Sequence, residues 1–500
     1  MREELFVEGL SVLLHWLPPL TGLYILYLLL EPWYFSPLKE IPGPWFAAYT
    51  KWWMVYKTVC GERAMTIHKL HVQYGKCVRI GPKEVSTVDS EAIVPIYGAG
   101  SKFVKTEFYT YQLRGVPELF TMSNQKQHMA RRRLMAHLFS MSTMKDYELV
   151  ISEHVSRCMN LIAAQGCHNK PSNLYDWFHY LAMDVICDLS FGMTFNMLEE
   201  GVNSTYIQDM YQSLEIEPVR YHFGWLNRYA AWAPLKWVRD AEACSIRSMQ
   251  KGIKIVREYK ENPTKKRAKD MLRKLMDAQD EDGRSLPEEQ LNIEATGLIL
   301  AGSHTTSSSL TWIVWRLLTS PHILDRLIVE LDSSLVGYDK TAVPLHADLE
   351  HLPMLNAIIK EGLRIDTAVP GSTPRYVPHP GAQIGDYYFP GGTTVSVQAY
   401  SAHRDPVTFP QPDKFKPDRW FSETPEMRRM YIPFGAEGPR KCIGIHLAYM
   451  ELRIILASLF HRFSLTLIDR DDEKMKMHEL WLAAPCGQTL IVHAKERSSI

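Results

Sequence analysis

The sequence predicts a mainly α-helical protein with small β-sheets, built as one large domain behind an apolar N-terminal helix. Three observations carry this. Of 500 residues, 46% are hydrophobic and 22% charged, ample apolar material for a large core. Helical periodicity fills most of the chain, with strand-like runs confined to two stretches. No Gly/Ser-rich or Pro-rich linker divides the chain after Trp45. Basic and acidic residues both number 56, for a net charge of zero, so no bulk positive field exists to hold nucleic acid. The eight cysteines contain no CxxC pair, which speaks for reduced thiols rather than a disulfide scaffold or zinc ribbon.

The elements follow in chain order. Residues 9–30 carry no Asp, Glu, Lys or Arg and, as a helix, are long enough to cross a hydrocarbon core of roughly 30 Å. A signal peptide would end in a small-residue cleavage site, whereas Glu31-Pro32-Trp33-Tyr34 follows, so an uncleaved transmembrane anchor is expected, with a buried core helix as the alternative. Lys39, Lys51 and Lys57 follow the run and only Arg2 precedes it, beside Glu3 and Glu4, which places the body in the cytoplasm. The Asn203-Ser204-Thr205 sequon is then idle. Residues 31–45 end in Ile41-Pro42-Gly43-Pro44-Trp45, a stiff connector, and residues 46–500 form the single domain.

Within it, Cys77 to Val88 reads as two strands around Gly81-Pro82, and Gln383 to Tyr400 as further strands broken by Gly385-Asp386 and Pro390-Gly391-Gly392. Lys260 to Arg284 reads as a solvated helix and loop. A helix over 286–319 is expected, opened by a Ser285/Glu288 capping box with Pro287 in its first turn and stopped by Pro321. At roughly 50 Å it should cross the centre of the domain. A further helix begins near Met354, and an amphipathic one spans Ile445 to Phe463.

Chemistry concentrates in Pro433-Phe434-Gly435-Ala436-Glu437-Gly438-Pro439-Arg440-Lys441-Cys442-Ile443-Gly444. Gly438 and Gly444 permit a tight loop and close approach of a flat ligand, Arg440 offers a fork for a carboxylate, and the helix that follows aims its positive end at the sulfur. Together these favour a thiolate at Cys442; the other seven cysteines read as inert. The segment resembles the haem-binding loop of the cytochromes P450, in which the cysteine is the fifth ligand of haem iron. Gly438, Arg440, Cys442 and Gly444 match the family pattern. One extra residue separates Phe434 from Cys442, so that Gly435 stands where the family has phenylalanine; either Glu437 bulges outward or the phenylalanine packs differently.

Further segments extend the resemblance. Glu361-Gly362-Leu363-Arg364 places acid and base on one helix face; alone this is a common surface pair. The family has such an ExxR helix and joins it to an arginine matched here by Arg419, in Phe415-Lys416-Pro417-Asp418-Arg419-Trp420, so the resemblance implies a buried structural cluster of Glu361, Arg364 and Arg419. Ala301-Gly302-Ser303-His304-Thr305-Thr306 allows the Thr305 hydroxyl to bond back to the carbonyl of residue 301, with small residues leaving room for a ligand. By resemblance, Thr305 aligns with the family's proton-delivering threonine, and His304 replaces its usual acid, either relaying protons or facing away. His128, Arg132 and Arg375 match positions that hold haem propionates. For Arg131 and Arg133 a solvated face competes with docking of an electron donor, also near Lys441.

The resemblance therefore implies haem b (iron protoporphyrin IX) with Cys442 as axial ligand, Gly435, Arg440 and Gly444 in its loop, and Thr305 and His304 as catalytic residues. It further implies O2-dependent monooxygenation with electrons from NADPH through a membrane-bound cytochrome P450 reductase, cytochrome b5 as a further candidate donor, and a single-pass endoplasmic-reticulum location. The expected substrate is a hydrophobic small molecule held among residues 103–120, 206–237, Ala295, Leu298, 368–373 and 482–487. Asp184 to Gly192 looks most like filamentous-fungal members, many of which tailor terpenoids or polyketides. Two alternatives stand beside this: a haem-thiolate isomerase or dehydratase needing no external electrons, and a haem-based binding or sensing protein.

Overall fold

A computed structural model describes residues 2–110, 117–202, 204–214, 216–223, 229–261, 269–280 and 282–498, with the side chains of these residues described from 15 onward except at 141, 218, 219 and 221. Its centre is the helix Glu288–Leu318, which packs against Leu174–Phe191, Pro353–Ile365 and Ile445–Arg462. Close approach depends on glycines. A Cβ on Gly302 would stand 2.8 Å from Ile186, and one on Gly362 would stand 2.3 Å from Ile313. The small residue at 302 thus serves helix packing rather than a ligand groove, which corrects that part of the sequence reading.

The central helix forms where expected, but its start is built differently. Pro287 is the N-cap and no side chain caps the helix. Ser285 instead pairs with Gln279 in an isolated β-bridge, so the expected capping box does not form. At the other end Pro321 opens the next helix, Pro321–Ser334, where its missing N–H costs nothing.

A five-stranded sheet lies to one side, in the order Cys77–Gly81, Glu84–Thr87, Thr394–Ser396, Arg375–Tyr376, Val104–Lys105. Its last pair sets Lys105 opposite Arg375. The Gly385-Asp386 turn joins the hairpin Gly381–Ile384 and Tyr387–Pro390, while Ala399–Ala402 is helical rather than strand. Strands at Ser172–Asn173, Phe463–Leu467, Met477–Glu479, Ala483–Pro485 and Ile491–Glu496 complete two smaller sheets in regions the sequence reading took as helical.

Residues Arg2–Leu30 form one helix containing Pro18 and Pro19. The expected anchor at 9–30 lies partly outside the described side chains, and among the described residues no helix is long and apolar enough to cross a membrane. His15, Thr21 and the proline pair dilute the apolar character of this stretch. The connector docks on the domain: the Arg79 amide donates to the Pro42 carbonyl at 2.8 Å, and Leu38 and Ile41 are buried with Val85 and Val395. Asn203 of the sequon, and residues 262–268 and 281 of the charged stretch, lie outside the described residues.

Candidate functional site

The loop before Ile445–Arg462 is held by backbone bonds. The Cys442 amide donates to the Phe434 carbonyl at 2.9 Å and the Gly435 amide to the Ile432 carbonyl at 3.0 Å. Gly435 has φ +80° and Gly438 φ +153°, and a Cβ on Gly438 would stand 2.3 Å from the Tyr97 carbonyl oxygen, so only glycine fits there. The extra residue turns outward: Glu437 is exposed and pairs with Lys441 at 2.5 Å. Phe434 packs its ring on Tyr449, 5.3 Å between centroids.

Cys442 is open to solvent on one side and enclosed by protein on the others. Burial raises its thiol pKa, opposed by the Gly444 amide and by Arg132. The dipole expected to favour a thiolate is present in the Gly444 amide, and desolvation opposes it. Arg440, expected to offer a fork for a carboxylate, donates to the carbonyls of Met122 at 2.5 Å and Ser123 at 3.1 Å.

Behind the loop, Glu361 and Arg364 are fully buried and bound twice, each bond 2.9 Å. Glu361 also accepts from Arg419 at 3.1 Å, the Lys416 amide at 2.8 Å and the Trp420 indole at 3.0 Å. A buried charge pair persists only with its remaining lone pairs satisfied, and these bonds do that. His403, which the sequence reading passed over, extends the cluster to the loop. Its Nδ1 donates to the Arg364 carbonyl and its Nε2 accepts from the Ile432 amide, both at 2.9 Å. Burial and Arg364 push its pKa down to about 3, consistent with that neutral tautomer.

A cluster of cations forms the site's second part. His128 is buried among Arg440, Lys105, Arg132 and Arg375, and burial with these charges pushes its pKa down to about 3; its Nδ1 has no hydrogen-bond partner. Buried Arg375 donates to the Tyr109 hydroxyl at 2.7 Å. Desolvation, then Arg375, lowers Arg440 to about 10. Lys105 donates to the Phe120 carbonyl, its ammonium 4.4 Å from the Tyr109 ring and 4.7 Å from that of Phe120; burial holds its pKa well below the usual lysine range. Lys105 and Tyr109 have no sequence signature, since strand pairing brings Lys105 to Arg375 and the turn after that strand brings Tyr109. Arg131, read as surface, is instead buried and paired with Glu294 and Gln290 of the central helix. Arg133 is exposed.

The third part is one face of the central helix. Thr305 donates to the Ala301 carbonyl at 2.7 Å, as its spacing predicts. Ala301 is exposed in mid-helix. His304 turns away, its ring 5.3 Å from that of Tyr211, and burial pushes its pKa down to about 4. It is therefore neutral near pH 7 and has no imidazolium proton to deliver. The next hydroxyl, Thr306, donates to Glu451 at 3.1 Å; burial raises this carboxyl to about 8. Glu451 was legible only as an acid inside an apolar helical run. Of the expected pocket, residues 111–116, 215 and 224–228 lie outside the described residues. A cavity in this region is lined by Phe108, Glu217, His222, Gly371 and Ser372 of the expected segments, together with Trp481.

These parts fit haem. Among the described residues no carboxylate pairs with Arg132, Arg375 or Arg440, and the buried His128 Nδ1 is unpartnered, so the cluster suits an anionic edge such as the propionates. The raised thiol of Cys442 would be deprotonated by a coordinated metal ion. A family model described as Cytochrome P450 matches residues 42–491. Cytochrome P450 monooxygenase tazI of Aspergillus terreus is 34% identical over 467 residues, covering 92% of this chain and 94% of its own. Benzoate 4-monooxygenase bphA of Aspergillus niger is 29% identical over 497 residues, covering 93% and 95%. The cytochrome P450DA haem domain, a crystal structure 21% identical, shares the fold with a TM-score of 0.76, covering 92% of this chain and 98% of its own. With the geometry above, these matches show that the chain belongs to the cytochrome P450 family of haem monooxygenases.

Proposed function

We propose that this enzyme is membrane-bound and oxidises a hydrophobic small molecule, a fungal secondary metabolite of terpenoid or polyketide type, with O2 and electrons from NADPH. The observation that carries the reading is the combination of an accessible thiol at Cys442, a cation cluster without carboxylate partners among the described residues, and a helix face open at Ala301 and Thr305. Cys442 would hold the iron of haem b; His128, Arg132, Arg375 and Arg440 would hold its propionates; and Gly435 and Gly444 would let the loop run close to it. Bound haem supplies the redox-active iron that activates O2 for insertion of one oxygen atom into a C–H bond.

The chain's own residues do the rest. Thr305 Oγ1 keeps its proton on the Ala301 carbonyl, and breaking that bond turns the O–H toward the open face, where it can donate. His304 backs this turn of helix as a positioning residue. The cluster of Glu361, Arg364 and Arg419 braces the loop through His403. Electrons would arrive from a membrane-bound NADPH–cytochrome P450 reductase, with cytochrome b5 as a further donor, on the side bearing Arg133 and Lys441.

The endoplasmic-reticulum membrane location draws support from exposed apolar groups. Leu20, Leu23, Tyr24 and Leu29 are exposed on the N-terminal helix, as are Trp45 and Trp52 beyond it. The Trp52 ring meets Phe223, and Trp232, 79% exposed, follows in the same region. Aromatic groups of this kind suit a bilayer interface.

Neutral His304 in place of an acid favours a second reading, an isomerase or dehydratase working without external electrons. Anaerobic stopped-flow reduction under carbon monoxide separates the two. With NADPH and reductase, the monooxygenase reading predicts the ferrous carbonyl band, including in the presence of candidate terpenoids or polyketides. A band produced only by dithionite under all those conditions would support the isomerase.

A further inference from the structure

The turn from Glu118 to Ser123 is fastened beside the central helix at nearly every step. The Glu118 amide donates to Thr121 Oγ1 and the Met122 amide to the Glu118 carbonyl, both at 2.9 Å. The Leu119 amide donates to Glu294 of the central helix at 2.9 Å. Lys105 takes the Phe120 carbonyl, and Arg440 takes those of Met122 and Ser123. One polar group on this turn is left over. The Glu118 side chain is 7% exposed, and among the described residues neither a hydrogen bond nor an ion pair reaches its carboxyl.

Its position is defined by a glycine. Glu118 Oε2 lies 2.5 Å from where a Cβ on Gly297 would stand, so any larger residue at 297 would displace the carboxyl from the helix. The neighbouring charges are committed elsewhere. Arg131 is engaged by Glu294 and Gln290, Lys105 by the Phe120 carbonyl and two rings, and Glu294 is a like charge. Burial, with Glu294 adding to it, pushes the Glu118 carboxyl up to about 8. An unpaired buried carboxyl costs stability unless something pairs with it, and no group among the described residues does.

Gly297, Ala301 and Thr305 follow at i+4 spacing along one side of the helix, about 12 Å from first to last. We infer that Glu118 reads the polar end of the substrate, accepting a hydrogen bond from a hydroxyl or protonated amine on an otherwise apolar molecule, with the carbon to be oxidised about 12 Å away beside Thr305. This rests on the reading of that face as the substrate side of a haem site.

The test uses the full-length holoenzyme and three probes of matched length: dodecan-1-ol, N,N-dimethyldodecylamine and 1-methoxydodecane, which lacks a donor. Affinities are read by optical titration of the haem band for the wild type, Glu118→Leu and Glu118→Gln. Wild type should bind the alcohol or the amine about tenfold or more tightly than the ether. Glu118→Leu should abolish that preference; Glu118→Gln should abolish it for the amine and keep it for the alcohol, which separates the two donors. If Glu118→Leu does not fold, Glu118→Gln with the amine decides an amine preference, and Glu118→Ala decides an alcohol preference. Equal affinity for ether and donors in the wild type, including no binding of any, overturns the inference, as does a preference that survives in both variants. A thiolate-type ferrous carbonyl band, recorded for each protein beforehand, reports separately on the haem reading.

Discussion

At the scale of single residues, the site consists of groups held against their solution preferences. Desolvation raises Cys442 and lowers His128, and Arg375 is buried beside Arg440 and Lys105 with no carboxylate among the described residues paired to it. A bound metal and two carboxylates resolve all of these conflicts at once. Arg375→Ala should therefore weaken haem retention roughly tenfold to a hundredfold, the worth of a charge-assisted hydrogen bond, as read by haem content after gel filtration. Thr305→Ala should lower product formed per NADPH oxidised by about a hundredfold while leaving the carbonyl spectrum intact; unchanged coupling in a product assay would remove Thr305 from the chemistry. Cys442, Thr305, Glu361 and Arg364 were legible because each lies in a short contiguous segment that carries the family resemblance; spacing alone would have left Glu361 and Arg364 as a common surface pair. Lys105, Glu118 and His403 were not, because their partners lie far along the chain, at Arg375, Gly297 and Ile432.

Among the elements, the ExxR helix Pro353–Ile365 and the cysteine loop meet through His403. His403→Ala removes both hydrogen bonds and leaves a buried carbonyl and amide unpaired. It should cost about 1–3 kcal/mol, measured as a lower Tm, with haem lost earlier in the melt; a Tm equal to the wild type's would show that the brace does not run through this side chain. Helix positions were readable from apolar period and prolines, as Glu288–Leu318 and Ile445–Arg462 show. The start of the central helix was not, since Ser285 answers to Gln279 rather than to its own helix. The strand Phe463–Leu467 alternates buried and exposed residues, yet it continues straight from a helix with no glycine or proline to mark the change.

Across the whole molecule, buried titratable groups set opposing pH dependences. Burial holds the imidazoles of His71, His179, His222, His304 and His403 down to about 3 or 4. The unfolded chain takes up their protons below about pH 6.5, so stability falls as pH drops from there toward 4, by about 1.4 kcal/mol per unit for each. Burial raises the carboxyls of Glu118 and Glu451 to about 8 and of Glu479 to about 7. Their contribution is full below about pH 4.5 and is lost as pH rises through those values. The imidazoles outnumber the carboxyls where both act, and only the carboxyls act above about pH 6.5, so thermal stability should peak near there. A Tm that climbs steadily to pH 9 would contradict this arrangement of buried groups.

The central claim is that Cys442 is the iron ligand. The carbon-monoxide difference spectrum of the dithionite-reduced protein, wild type beside Cys442→His, tests it most directly. The account predicts a thiolate-type carbonyl band in the wild type, and in the variant a band displaced to the shorter wavelength of nitrogen-ligated haem. The same thiolate-type band in Cys442→His, or none in a haem-loaded wild type, would contradict it.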